Sequence, residues 1–393
     1  MNTKNSRINK ESPIVFFLNP AELHKIRERI DQRDSTLLPA YEKLLAEADR
    51  ALPLGPFSVV DKSRLAPSGD PHDYLSIGPY WWPNPDTPDG LPYIRLDGQR
   101  NPEYDSDQYD NTSFFTMFDA VTTLSLAYYF SRSQNYALRA AELVRHWFIN
   151  SDTAMNPNLN YAQGIPGRRA TRGTGIIEAY PLPFFLDVFG LLADSGAWSA
   201  ADQQALVGWL ENFLTWLQES DNGREEAKSK NNHGTHYDLL VAYLALYLDH
   251  PRLAQNVLTK MMKERIPEQI EPDGRQPLEL IRTAALHYSV FNLMAWFKSA
   301  LLGEHCGLNL WTYQTSDGRS IRQAIDWLLP YFYEPQKWPY QQITPLKTDR
   351  IAFLLRLSAK NYNEPYFEEA LRGAIPGWPA DRVNLLYLSP FER

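Results

Sequence analysis

The chain has 393 residues, 44% of them hydrophobic and 22% charged, a composition that supports a large buried core and argues against a disordered or fibrous protein. Its net charge of −8 argues against a general nucleic-acid binder, which needs a surplus of Lys and Arg against phosphates. The single cysteine, Cys306, excludes an internal disulfide and any multi-cysteine zinc site.

The opening stretch "MNTKNSRINKESPIVFFLNP" is polar and basic, but its run "PIVFFL" is too short for a signal-peptide core and no small-residue cleavage site follows. No stretch reaches the length expected of a membrane span. The expectation is a soluble chain without an export signal, with no nucleic-acid or membrane partner, acting as a monomer or homodimer. With no Gly/Ser-rich or charge-block linker in sight, residues 1–393 read as one domain.

Apolar residues recur at helical spacing through most of the chain. The spacing predicts helices over about 20–32, 36–51, 113–131, 134–149, 176–194, 199–220, 232–248, 251–264, 277–302, 320–333 and 346–358. In 199–220, Leu206, Trp209, Leu210, Phe213, Leu214 and Leu217 form one stripe of a 3.6-residue helix. Short connections favour antiparallel neighbours, so the elements read as successive helical hairpins, an all-α fold. No alternating pattern supports a sheet, and no strict period supports a repeat solenoid. Two long stretches, 53–112 and 152–175, are rich in Pro, Gly, Asp and aromatic residues and carry no helical pattern; loops of this length inside a domain are functional or disordered, and their aromatic content argues for order.

Four groups of residues carry chemistry. "NNHGTHYDLL" at 231–240 puts Asn231, Asn232, His233, His236 and Tyr237 at the mouth of an otherwise apolar helix. A helix cap accounts for one asparagine but not for the pair followed by His-Gly. "RQPLELIRTAALHYSVFNLMAWF" at 275–297 is an apolar helical pattern that carries Arg282, His287 and Tyr288. An arginine in such company needs an anionic partner, either Glu279 three residues earlier or a ligand. "IGPYWWPNP" at 77–85 supplies Tyr80, Trp81 and Trp82, which suit either a hydrophobic plug or a sugar platform. Arg168, Arg169 and Arg172 form a basic cluster in an acidic protein, suited to an acidic ligand or simply to solvent.

"NNHG", "RTAALHYS", "HDYLSIGPYWWPNPDTPDGLPYIRLDG", "NPNLNYAQGIPG" and "WPYQQI" together resemble the alginate-lyase-like polysaccharide lyases over roughly residues 55–345. The resemblance implies an (α/α) toroid of about six to seven helical hairpins with long active-site loops. It further implies eliminative cleavage of a uronic-acid polymer, with β-1,4-linked mannuronate (alginate) or glucuronan nearest, and no cofactor or metal. By the same resemblance the location is periplasmic or secreted if a leader was removed, and otherwise cytoplasmic.

Carried over position by position, the catalytic residues are Tyr288, His233, Asn232 and Arg282; around them the expected substrate contacts are Tyr80, Trp81, Trp82, Gln163, Arg168, Arg172, His236, Tyr237, Arg275, His287 and Trp338. One interval departs from the pattern. In the better-known members seven residues separate the arginine from the tyrosine, but here six do, with Ser289 following. On a straight α-helix six residues leave two side chains about 120° apart.

The residue types suit β-elimination. The C5 proton is weakly acidic beside a carboxylate anion, so that carboxylate must be neutralised, which Asn232, Arg282 and a histidine can do. Where the proton and the leaving O4 lie on one side of the ring, a tyrosine can serve as base and then as acid, and His233 either neutralises the carboxylate or assists the base. Three rivals remain open from sequence: a glycoside hydrolase using a pair among Asp107, Asp110, Glu178 and Glu279, a non-catalytic carbohydrate-binding scaffold, and a metal enzyme built on His233, His236 and Asp238.

Overall fold

Helices occupy nearly all the segments marked by apolar periodicity, and the chain divides into two compact units, one of Glu47–Lys228 and Leu244–His250 with Ile14, the other of Val15–Ala46, Ser229–Tyr243 and residues 251 onward. The computed structural model describes residues 14–391; the basic start read above falls largely on 1–13, outside the described residues.

The first unit is built around Asn111–Ser131, a helix that exposes Thr112 and Asp119 in its first half and is mostly apolar and buried on every side from Ala120 to Phe130. It packs against Gln134–Phe148 and Leu182–Phe189 through aromatic pairs, Phe114 with Trp147 at 5.4 Å and Phe118 with Phe185 at 4.7 Å. The stripe of Ala200–Glu219 is buried as its spacing requires, and Ser199 and Asp202 form a capping box at its start. The single helix expected over 176–194 is instead three short segments, Gly173–Ala179, Leu182–Phe189 and Gly190–Leu192; Pro181 stands at the first interruption and Gly190 at the second. This run, Gly173–Leu192, is long and apolar enough to cross a membrane, contrary to the sequence reading, and 72% of its most apolar window is buried inside the protein.

The two long loops of this unit are ordered and contain short strands that sequence alternation did not reveal. Leu75–Ile77 pairs in parallel with Tyr161–Gly164, and Trp81–Trp82 pairs antiparallel with Ile94–Arg95. Strands of two to four residues are too short to display a period. Their anchor is Glu178, buried to 2% exposure, whose carboxylate accepts from the hydroxyls of Tyr74 at 2.7 Å, Ser76 at 2.7 Å and Tyr104 at 2.8 Å. Burial raises the Glu178 carboxyl above its ordinary range, and these three hydroxyls work against that rise. Beside it the buried Lys62 meets Asp110 at 3.2 Å, and Asp110 also accepts from the Leu75 amide at 2.7 Å.

The second unit holds the helices Pro20–Asp31, Pro251–Lys260, Ala285–His305, Ile321–Tyr333, Thr348–Tyr362 and Pro365–Ala374, together with the start of Asn232–Tyr247. A buried polar centre ties three of its segments together. The Gln269 side-chain oxygen accepts from Thr235 at 2.9 Å, Asn292 at 3.1 Å and Trp296 at 3.2 Å, and Gln276 takes the other Asn292 bond at 2.8 Å. A π-helical turn, Met261–Arg265, places the Arg265 guanidinium against Asp238 at 2.5 Å and the Ser229 carbonyl at 2.6 Å.

Candidate active site

The helix expected over 277–302 is broken, and the expected site residues Arg282 and Tyr288 flank the restart at Ala285. Pro277–Leu280 ends, residues 281–284 turn, and a new helix starts at Ala285. The cause is a backbone ladder to the segment containing "WPYQQI". Ala284 bridges Gln342 in antiparallel fashion, the Ala285 amide donates to the Gln341 carbonyl at 2.9 Å, and the Ile343 amide donates to the Thr283 carbonyl at 3.0 Å. Gln342 then caps the new helix from outside, its side-chain oxygen accepting from the amides of Leu286 at 3.0 Å and His287 at 3.2 Å. Arg282 therefore projects from a turn and Tyr288 from the first turn of the following helix. The 120° separation expected on a straight helix does not apply. The Arg282 guanidinium carbon lies 3.7 Å from the centroid of the Tyr288 ring.

Asn232 opens the helix Asn232–Tyr247, and both its backbone amide and its side-chain amide donate to Glu279, each at 2.7 Å. The cap expected from an asparagine side chain is supplied instead by this carboxylate from another segment. Glu279 is buried to 1% exposure, and burial raises its carboxyl above the ordinary range; the two Asn232 bonds and the charges of Arg282 and His233 pull it back. Thus Glu279 links three of the four expected catalytic residues, and Arg282 links them to the fourth. His233 is half-buried, as is Arg282, while Tyr288 keeps 7% exposure. Gly234 is required by its neighbours: a Cβ there would stand 2.0 Å from the Ser229 carbonyl oxygen and 2.2 Å from the Arg265 guanidinium.

Behind Tyr288 lies a neutral aromatic layer. The His236 ring stacks on Phe291 at 4.0 Å, His287 meets Tyr288 edge-on at 5.3 Å, and Arg350 stands 4.8 Å from the Phe291 ring and 3.4 Å from His287 Nε2. Burial, followed by the charges of Arg350, Lys347 and Arg282, pushes His287 down to about 4. Burial, followed by the charge of Lys298, holds His236 well below its ordinary value. Tyr237 and His236 are buried, whereas Arg275 is an exposed partner of Asp273 at 2.7 Å. Trp338 sits in a ring cluster with Tyr331 at 4.9 Å, Tyr340 at 5.3 Å and Trp327 at 5.4 Å.

The remaining expected contacts belong to the other unit. Trp81 packs against the loop core of Ala66, Leu75, Ile77, Tyr93, Tyr104, Tyr109 and Ile165, with Arg168 at 5.5 Å and Arg172 at 5.8 Å from its ring. Tyr80 and Trp82 are half-buried, and the Trp82 indole donates to the Gln99 carbonyl at 2.9 Å. Gln163 adopts a left-handed φ of +51°, a strained conformation for a residue with a side chain. The Ser76 hydroxyl, accepting from its amide at 2.8 Å, and Arg172, donating to its carbonyl at 3.0 Å, hold it there. Arg168 and Arg169 line a cavity of about 500 Å³ with Arg64, and Arg169 is engaged by Glu225 at 2.6 Å.

Three of the four carboxylates named for a hydrolase are engaged by other groups. Asp110 is paired with Lys62, Glu178 accepts three hydroxyl bonds and Glu279 holds Asn232, while Asp107 is exposed. Of the suggested metal ligands, Asp238 is taken by Arg265 and His236 stacks on Phe291.

One unit of the chain thus holds the Arg282–Tyr288 pair and the Asn232–Glu279 pair, and comparison with known proteins gives its class, a polysaccharide lyase. The sequence model of the family described as alginate lyase matches residues 58–338. An alginate lyase from Bacteroides ovatus is 39% identical, covers 95% of this chain and 99% of its own, and superposes with a TM-score of 0.91. Alginate lyase A1-III from Sphingomonas species A1 shares the fold at 15% identity, 96% coverage of each chain and a TM-score of 0.58. A variant of A1-III complexed with a tetrasaccharide gives 14% identity, 100% and 99% coverage, and a TM-score of 0.60. No match is found among functionally curated proteins. The protein belongs to the alginate lyase family, and the all-α toroid class expected from its motifs is the fold class of that family.

Proposed function

We propose that this lyase cleaves a β-1,4-linked uronic-acid polymer, mannuronate-rich alginate or glucuronan, by β-elimination at the cluster of Asn232, His233, Arg282 and Tyr288. The observation that carries the reading is the 3.7 Å approach of the Arg282 guanidinium to the Tyr288 ring, across a helix break that begins just after Glu279, the residue that holds Asn232. Asn232 and Arg282 neutralise the substrate carboxylate, so that negative charge can build on it as the C5–H bond breaks. Tyr288, as the phenolate, takes the C5 proton. The C4–O bond then breaks as the C4–C5 double bond forms, and the phenol returns the proton to the leaving oxygen. A guanidinium on the ring face stabilises the phenolate in the first step. His233 supports the carboxylate side of the reaction. The alginate lyases with which the chain compares support this substrate class, and one of them is described in complex with a tetrasaccharide.

Incubation with polymannuronate, polyguluronate, glucuronan and glycosaminoglycans, followed by ultraviolet absorbance of unsaturated ends, tests the reading. Absorbance growing with polymannuronate or glucuronan, and lost in Tyr288→Phe with polymer binding retained, is the expected result. Full activity of Tyr288→Phe, or no absorbance with any polymer, would overturn it.

A further inference from the structure

We infer that Glu279 is a positioning residue for the elimination, fixing the orientation of the Asn232 amide and balancing charge around Arg282 and His233. The inference rests on the reading of the site given above.

The geometry is specific. One carboxylate oxygen accepts from the Asn232 backbone amide and the other from its side-chain nitrogen, each at 2.7 Å. A bidentate grip on the main chain and side chain of one residue leaves that side chain no alternative rotamer without losing a bond. It also settles the polarity of the amide. A carboxylate only accepts, so the end facing Glu279 must be the NH2 group. One N–H and the carbonyl oxygen of Asn232 remain for other partners, in a fixed arrangement. Glu279 also steers the arginine, because its own carbonyl accepts from the Arg282 amide at 3.2 Å at the start of the turn. One residue thus sets Asn232 through its side chain and the Arg282 turn through its backbone.

Capping the helix Asn232–Tyr247 would require only the first of these bonds. The second oxygen, on the amide, and the buried negative charge near Arg282 and His233 go beyond a cap. Keeping a carboxylate at 1% exposure is costly unless its partners need it there.

The discriminating variant is Glu279→Gln, which is isosteric. Its oxygen can still accept from the Asn232 backbone amide, but its NH2 group faces the Asn232 NH2 group, so the asparagine amide must rotate or lose its bond. The expected result is a fall in kcat of about 100-fold, the size associated with misplacing a reacting group by about 1 Å. KM and the affinity for polymer, the latter measured in a Tyr288→Phe background, should stay within about threefold. Glu279→Asp, which keeps the charge but not the reach, should rescue less than a tenth of kcat. Melting temperatures separate this role from a purely structural one: loss of kcat only in proportion to unfolding, or a Glu279→Gln enzyme with wild-type kcat, overturns the inference. If wild-type enzyme forms unsaturated ends and Tyr288→Phe does not, that second outcome sinks the role of Glu279 alone. If wild type forms none, the lyase reading fails and the inference falls with it.

Discussion

The Arg282 guanidinium carbon lies 3.7 Å from the centroid of the Tyr288 ring, and the two residues stand on opposite sides of a helix break rather than along one helix. Such a contact depends on a planar cation. Arg282→Ala should lower kcat by about 100- to 1,000-fold, the range found when one donor that stabilises a developing oxyanion is removed. Arg282→Lys should recover little of that loss, because an ammonium point charge on a flexible stem does not reproduce a guanidinium set against a ring. Initial rates from the absorbance of unsaturated ends check both, and a lysine variant with near-normal kcat would contradict the stacking role.

Acid sensitivity should arise partly in the layer behind Tyr288. His287 is held at about 4, below its unfolded value of about 6.5, so between these limits the unfolded chain binds the extra proton. Its contribution to stability is complete above about pH 6.5 and is lost as the pH falls through about 4. Asp110 works in the opposite direction, because burial lifts its carboxyl to about 7 and the folded state then binds the proton more tightly than the unfolded one. The informative quantity is therefore the difference between wild type and His287→Gln. Urea midpoints measured from pH 7.5 down to 4 should fall less steeply in the variant. Parallel curves would contradict the burial of a neutral histidine.

Gly234 should resist substitution for a steric reason unconnected with catalysis. A Cβ at this position would overlap the Ser229 carbonyl oxygen and the Arg265 guanidinium, which donates both to that carbonyl and to Asp238. Gly234→Ala should cost about 1–3 kcal/mol, as overpacking of a filled interior does. Thermal unfolding reads this directly, and an unchanged melting temperature would show that Arg265 can move aside.

Much of this arrangement was legible in the sequence, because long apolar stripes are set by burial. The stripe from Leu206 to Leu217 is buried as its spacing requires, and the helices at 111–131 and 232–247 stand where apolar residues run almost without interruption. The polar mouth "NNHG" and the Arg–Tyr pair were visible as residue types out of place on apolar segments. What periodicity could not show was the break at 281–284. The apolar pattern continues through it, and the interruption is imposed by pairing with Gln341–Ile343, more than fifty residues away. Gln342 and the Asn232–Glu279 grip were missed for the same reason: a cap supplied from a remote segment leaves no local spacing. In the sequence, Glu279 reads only as a partner for Arg282 or as an acid of a hydrolase. The helix Pro365–Ala374 went unassigned, and the strands at Leu75–Ile77 and Trp81–Trp82 are too short for alternation to register.

The basic cluster should act on substrate capture and not on the chemical step. Arg169 is engaged by Glu225 and Arg172 by the Gln163 carbonyl, whereas Arg168 is exposed beside Trp81 and lines the same cavity as Arg64. An exposed charge facing an anionic polymer contributes about 0.2–1 kcal/mol, so Arg168→Ala should raise KM by up to about fivefold with kcat unchanged. The effect should shrink as salt is raised from about 0.01 to 1 M, since the screening length falls from about 30 to 3 Å. Arg172→Ala should behave differently, because it releases the strained Gln163 backbone and should lower the melting temperature as well. Steady-state kinetics at two salt concentrations, with melting curves for both variants, separate the two arginines. A fall in kcat for Arg168→Ala that persists at high salt would move that residue from capture into the reacting shell.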